Sequence, residues 1–162
     1  MSVPPRVAVV IPCSKEKAWD AWPSLGAVPA AQAYTSPLHR ACQGRAVALA
    51  RAQGWPWFVL SALHGLLRPD DRVPESYDVT FSRPDDPVID DAALAAQLAT
   101  LGLTSLDRWL VFCPDDYATR LQQAAALAGA ASRVVPVFAG IDLHALDVMA
   151  QRATRAPVAS GT

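Results

Sequence analysis

The stretch Arg6-Val7-Ala8-Val9-Val10-Ile11, running into Pro12-Cys13-Ser14-Lys15-Glu16-Lys17, decides how the rest of the chain is read. A short apolar run rich in β-branched residues and closed by a turn signal is the pattern of a buried strand. Strands that read as continuously apolar, without alternation, belong to parallel sheets covered on both faces. This one opens into a thiol, a hydroxyl and two amines. In an open parallel sheet, ligands bind in the crevice beyond the carboxyl ends of the strands. Loop 13–17 is therefore the first place to expect chemistry.

Working outward, residues 57–61, 109–113 and 133–138 have the same strand character. Pro136 cannot donate to a ladder and assigns the last of them to a sheet edge. Helical patterns lie between the strands. Thr35 or Ser36 caps a helix with Pro37 at its first position, running to Ala52 and stopped by Gly54. Asp90 or Asp91 caps residues 92–101, closed by Gly102, and Asp115 or Asp116 caps 117–127, closed by Gly129. Asp142 opens a last helix reaching about Arg152. This alternation predicts an α/β fold in three layers: a mostly parallel sheet of about four strands, helices on both faces, and right-handed crossovers. Residues 18–34 and 66–88, rich in Pro or Asp, read as long irregular connections standing over the same crevice. Residues 1–155 are expected to form one domain and 156–162 a frayed tail.

Composition narrows the function. The 162-residue chain is 52% hydrophobic and 18% charged, which is globular and large enough for a core of its own. Cys13, Cys42 and Cys113 are odd in number and far apart in sequence, arguing against a disulfide framework. They make no C-x-x-C pair, and His39, His64 and His144 add no ligand-spaced cluster, so neither a metal nor another cofactor is expected. No apolar stretch reaches membrane-spanning length, and no basic segment followed by a long apolar run opens the chain. A cytoplasmic protein without a membrane partner is expected. The net charge of −1 disfavours non-specific coating of nucleic acid, which needs many phosphate-neutralising side chains. The distribution is uneven, however. Lys15, Lys17, Arg40, Arg45, Arg51, Arg68 and Arg72 fall in the first half, while acidic residues dominate from Asp85 to Asp116.

Four clusters carry the candidate chemistry. In the first, Cys13, Ser14, Lys15 and Lys17 suit an anion pocket, and a desolvated lysine suits a nucleophile or base. The plainer alternative packs Cys13 as a small hydrophobe and leaves the lysines in solvent. In the second, Ser61-Ala62-Leu63-His64-Gly65-Leu66-Leu67 is followed by Tyr77-Asp78. There Gly65 suits a positive φ or a close approach, and His64 suits proton transfer near neutral pH. In the third, Ser36 caps a helix whose N-terminus favours anions, and His39 lies three residues into it. The fourth is Cys113-Pro114-Asp115-Asp116-Tyr117, where one aspartate caps a helix and the other is free to bind a sugar hydroxyl or a base edge. Trp19 and Trp22 suit stacking on a base, whereas Trp55, Trp57 and Trp109 read as core. No Walker loop, G-x-G-x-x-G, G-x-S-x-G or H-E-x-x-H motif is present.

Together these motifs resemble an uncharacterised bacterial and phage family with Cys-Ser-Lys and Ser-Ala-x-x-Gly-Leu-Leu signatures. Residues 60–78 are also similar to the Ser-x-x-x-Gly-Leu-Leu-x-Pro segment of YaaA-type peroxide-stress proteins, which implies DNA binding and limitation of oxidative damage. Pro12, Cys13, Lys17, Ser36 and His39 resemble the Pro-Cys-x-x-x-Lys and Ser-x-x-His places of an archaeosine synthase module. That resemblance implies a uracil-DNA-glycosylase-like fold acting on a nucleobase. The archaeosine module has Lys-Pro-Tyr where this chain has Lys17-Ala18-Trp19.

The expectation is a nucleobase- or nucleic-acid-directed enzyme working at the carboxyl edge of the sheet, by N-glycosidic hydrolysis or base modification. Its partner would be a nucleotide, or a base in DNA or RNA. Lys15, Lys17, His64 and Asp115 are the catalytic candidates. Cys13, Ser14, Ser36, His39, Ser61, Gly65, Tyr77 and Asp78 are the binding candidates. The rival expectations are a non-catalytic YaaA-like DNA-binding protein and a nucleotide-sensing module.

Overall fold

Strand β1 (Val7–Pro12) lies at the centre of the sheet, and its side chains divide between two cores. Val7, Val9 and Ile11 point to one face and Ala8 and Val10 to the other, all at most 2% exposed. That is the period-2 alternation of a strand buried on both sides. The computed structural model describes residues 6–136.

After β1 the chain makes α1 (Ala18–Ala21), β2 (Val28–Pro29), α2 (Ala30–Ala33) and the long α3 (Pro37–Gln53). It continues through β3 (Trp57–Ser61), β4 (Gly65–Leu67), β5 (Arg72–Val73), α4 (Asp91–Thr100), β6 (Arg108–Val111), α5 (Asp115–Leu127) and β7 (Arg133–Pro136). The main sheet has five strands in the order β4-β3-β1-β6-β7. β3 and β6 pair with β1 in parallel and β7 pairs with β6 in parallel, while β4 returns antiparallel against β3.

The α/β class, the parallel core of the sheet and the helices on both faces agree with the sequence reading. α3 covers one face through Cys42, Ala46 and Ala50. α4 and α5 cover the other through Leu94, Leu98, Leu121 and Ala124. β7 lies at an edge, as Pro136 requires. The strand count differs because β4 has only three residues and closes a tight hairpin on Ala62-Leu63-His64, too short to show a pattern. The connection over residues 18–34 is not irregular throughout, since β2 pairs with β5 in a separate two-stranded ribbon, Val28 opposite Val73. The predicted helix at Asp142 and the predicted tail lie outside the described residues.

Caps follow the sequence except at one helix. Ser36 Oγ accepts from the His39 amide at 3.0 Å and Pro37 opens α3. Asp90 Oδ1 accepts from the Ala93 amide at the start of α4. For α5 the expected aspartate cap is corrected: Pro114 is the N-cap, and Asp115 and Asp116 already stand in the first turn. There their carboxylates complement the positive end of the helix dipole without capping it.

Candidate active site

The crossovers from β1 and β6 leave the sheet on opposite faces, because α3 packs on one side and α5 on the other. A crevice necessarily opens between the carboxyl ends of two such strands. A cavity of about 480 Å³ lies there. Its floor is the 12–17 loop, one wall is the start of α3 with Ser36, His39 and Cys42, and the opposite wall is Pro114, Asp116 and Tyr117. Residues 78–83 close the outer side with Asp78, Thr80, Ser82 and Arg83. Cys13, half-buried at the seam, touches both cores, and its Sγ lies 3.4 Å from the Tyr117 hydroxyl.

The two lysines of the loop have separate fates. Lys15 is exposed at the cavity rim. Lys17 is only 2% exposed, and its Nζ donates to the carbonyls of Ser14 at 2.8 Å and Lys15 at 3.0 Å. The ammonium also stands over the Tyr77 ring, 4.5 Å from its centroid. Burial pulls the Lys17 pKa below its ordinary value, opposed by the charges of Cys13 and Asp78. With carbonyls and an aromatic face as neighbours, Lys17 holds the loop in shape from within.

Beneath it lies a polar layer drawn from distant segments. The Tyr77 hydroxyl meets that of Tyr34 at 2.5 Å and Ser61 Oγ at 2.6 Å. Ser61 Oγ accepts in turn from the amides of Leu63 and His64. Burial pushes both tyrosine pKa values well up, so both phenols stay protonated. The His64 ring stands edge-on to Tyr77 at 5.1 Å. Ser61, His64 and Tyr77 thus support the loop without lining the cavity.

Gly65 is further from the chemistry. Its φ of 79° is left-handed, and a Cβ there would fall on the Gln97 side chain. Gln97 donates to the His64 carbonyl and accepts from the Leu66 amide, both at 2.8 Å, pinning the β3–β4 turn to α4. Glycine is needed at this position for backbone shape and close packing.

His39 forms the inner end of the cavity at 4% exposure. Its Nε2 faces Gln43 Oε1 at 3.1 Å, whereas Nδ1 has no partner at hydrogen-bonding geometry. Burial lowers its pKa below 6.5, with the Gln43 contact opposing, and burial likewise lowers that of His64. On the outer wall, Arg83 grips Asp78 and Asp86 at 2.8 Å each. The hydrogen bond from Arg83 holds the Asp78 carboxyl below its usual range, so it is ionised at neutral pH. The described residues include no group of three or more His, Cys, Asp or Glu placed to hold a metal ion.

Residues 8–141 match a family described as of unknown function, DUF6884. The chain belongs to that family. Over 98 residues it is also 40% identical to the "Uncharacterized protein YfjM" of Bacillus subtilis (strain 168). The alignment covers 60% of this chain and 63% of that protein, so it spans less than two thirds of the relative's length. No solved structure matches it. The DUF6884 match takes in every residue that lines the cavity.

Of the residues singled out in sequence, this DUF6884 domain brings Cys13, Ser14, Lys15, Lys17, Ser36, His39 and Asp78 to the cavity. Asp115 is exposed and points elsewhere, and its neighbour Asp116 lines the wall instead. Thr80, Ser82, Arg83 and Tyr117 also line it and were not among the candidates. Tyr117 was within reach of sequence reasoning, because helical spacing from Pro114 turns it toward the strand end. Arg83 was not, since its position depends on how an aperiodic segment folds back. Trp19 is corrected as a stacking candidate: it is 7% exposed, and its indole N–H donates to the carbonyls of Leu25 and Gly26.

Proposed function

We propose that the cavity binds a nucleobase or nucleotide, and that the protein acts on it by N-glycosidic hydrolysis or base modification. The observation that carries this reading is the mixed lining of the cavity. Lys15 and the N-terminus of the 17-residue helix α3 border it together with the Asp116 carboxylate, the Thr80 and Tyr117 hydroxyls, and the Asp78 carboxylate that Arg83 clasps. A cation and a helix N-terminus suit a phosphate. Carboxylates and hydroxyls suit sugar hydroxyls and base edges. A cavity of about 480 Å³ is of the size that small-molecule sites usually have.

For glycosidic cleavage, water would add to the anomeric carbon as the C–N bond breaks, with the bond's electron pair leaving on the base. A carboxylate would stabilise the oxocarbenium-like centre and take the water's proton, and a proton donor would neutralise the departing nitrogen. In this reading Asp116 or Asp78 would take the first role and Lys15 or the Tyr117 hydroxyl the second, all four being cavity-lining groups. His64 and Asp115, also catalytic candidates, take no part in this scheme because neither lines the cavity. The resemblance of the Pro12–Lys17 and Ser36–His39 motifs to an archaeosine synthase module supports a base as ligand.

Calorimetric titration with free bases, nucleosides and mononucleotides, followed by chromatography for released base, tests the reading. Binding of at least one class and turnover of it are expected. Full binding and turnover by both Lys15→Ala and Lys17→Ala variants would sink the proposal. Binding without turnover would favour the YaaA-like or nucleotide-sensing alternatives.

A further inference from the structure

A second concavity of about 1020 Å³ runs along the outer side of α3. Arg40, Gly44, Val47 and Arg51 recur at spacings of three or four residues and so share one helix face toward it. A Cβ at Gly44 would meet nothing within 4 Å, which leaves the middle of the groove open. Trp22, 68% exposed, stands on the opposite rim, an unusual placement for the largest side chain in a loop. Arg40 and Arg51 are exposed, and neither makes a salt bridge among the described residues. Two carboxylates, Glu16 and Asp20, lie at the Trp22 end of the lining, and Asp20 accepts from the Lys17 amide at 2.9 Å, which fixes its position without cancelling its charge. Glu16 and Lys17 line both the groove and the cavity, so the two are immediate neighbours.

We infer that this groove holds a single-stranded nucleic acid, placing one of its bases at the cavity mouth. The inference rests on the nucleobase reading of the cavity and extends it to a polymeric substrate. An exposed indole sharing a groove with two exposed guanidinium groups is the combination that single-strand binders use, a stacking platform beside phosphate contacts. Arg40 and Arg51 lie about 16 Å apart along the helix at ~1.5 Å per residue, a span that requires an extended chain and not a single nucleotide. A duplex is the poorer fit, because a protein of net charge −1 offers few cations to neutralise two backbones.

The test is fluorescence anisotropy with labelled single-stranded DNA and RNA of roughly 12 nucleotides, a length within the site sizes of such binders. Wild type, Trp22→Ala and the double variant Arg40→Ala/Arg51→Ala are compared, with mononucleotide affinity measured in parallel by calorimetry. All three positions are exposed, so folding is expected to survive, and circular dichroism checks it. One of the oligonucleotides should bind at least about tenfold more tightly than the mononucleotide. Each variant should lose about tenfold of that affinity while mononucleotide affinity is unchanged. The double variant should also flatten the log–log salt slope by about 1.4. Oligonucleotides that bind no better than the mononucleotide, groove variants that bind them like wild type, or equal competition by a polyglutamate peptide would overturn the inference. Oligonucleotide binding that needs Trp22 in a protein indifferent to every free base and nucleotide would uphold the groove and strike the cavity reading alone.

Discussion

The chain leaves β1 and β3 at the same edge of the sheet, and in sequence both exits look functional. One gives Cys13-Ser14-Lys15-Glu16-Lys17 and the other Ser61-Ala62-Leu63-His64-Gly65. Their polar groups do opposite things. The first exit lies at the crevice between β1 and β6, and its side chains line a cavity. The second lies one strand further out and turns back as the edge strand β4, so its polar groups, apart from the unpartnered His64 Nε2, are spent on the fold. Ser61 serves Tyr77 and two amides, and the His64 carbonyl and Leu66 amide are held by Gln97. A polar strand end becomes a site only where the crossovers diverge.

That difference can be broken most severely at Gly65. Gly65→Ala should destabilise the protein by about 3 kcal/mol, combining left-handed strain with overpacking on Gln97. Denaturant unfolding measures it, and a Gly65→Ala/Gln97→Ala double variant should recover part of the loss. Next comes Lys17→Met, which leaves the Ser14 and Lys15 carbonyls without their donor. It should cost about 2 kcal/mol and weaken cavity ligands through loss of loop shape. Tyr77→Phe removes the hydroxyl that joins Tyr34 to Ser61, for about 1 kcal/mol in the same assay.

Acid supplies a further probe. His39 and His64 both have pKa values depressed below 6.5 in the folded protein, chiefly by burial. The unfolded chain therefore binds more protons than the native one as pH falls through 6.5. Their contribution to stability is fully present above that pH and declines below it until the folded-state values are passed. Denaturation midpoints across that range should fall with acidification, less so in a His39→Gln variant. The smallest stability effect belongs to Lys15→Ala, within ~0.5 kcal/mol of wild type because the side chain is exposed. The same variant should weaken a phosphate-bearing ligand about tenfold by calorimetry, a charge-assisted contact being lost.

Most of the architecture was legible from strand runs and caps, because buried parallel strands and amphipathic helices impose their periods on the sequence. Ser36, Pro37 and Gly54 marked α3 to within a residue. What stayed hidden was short or aperiodic: the three-residue β4, the β2–β5 ribbon, and the clasp of Arg83 on Asp78 and Asp86. At the site, the residues on the β1 loop and the start of α3 were legible because they follow directly from a strand end and a cap. Lys15 and Lys17 could not be told apart, since nothing local reveals which amine will be wrapped by its own loop. Asp115 and Asp116 are adjacent and alike in sequence, so which carboxylate faces the crevice is decided only by the helix starting at Asp115 with Pro114 as its N-cap.

The most direct test of the cavity's role is a crystal structure with the tightest-binding base or nucleotide of the calorimetric panel. Ligand density is expected between the Ser14–Lys17 loop, Ser36 and His39 on one side and Asp116 and Tyr117 on the other, with any phosphate nearest Lys15. A ligand seated elsewhere, with this cavity holding only solvent at saturating concentration, would contradict that role.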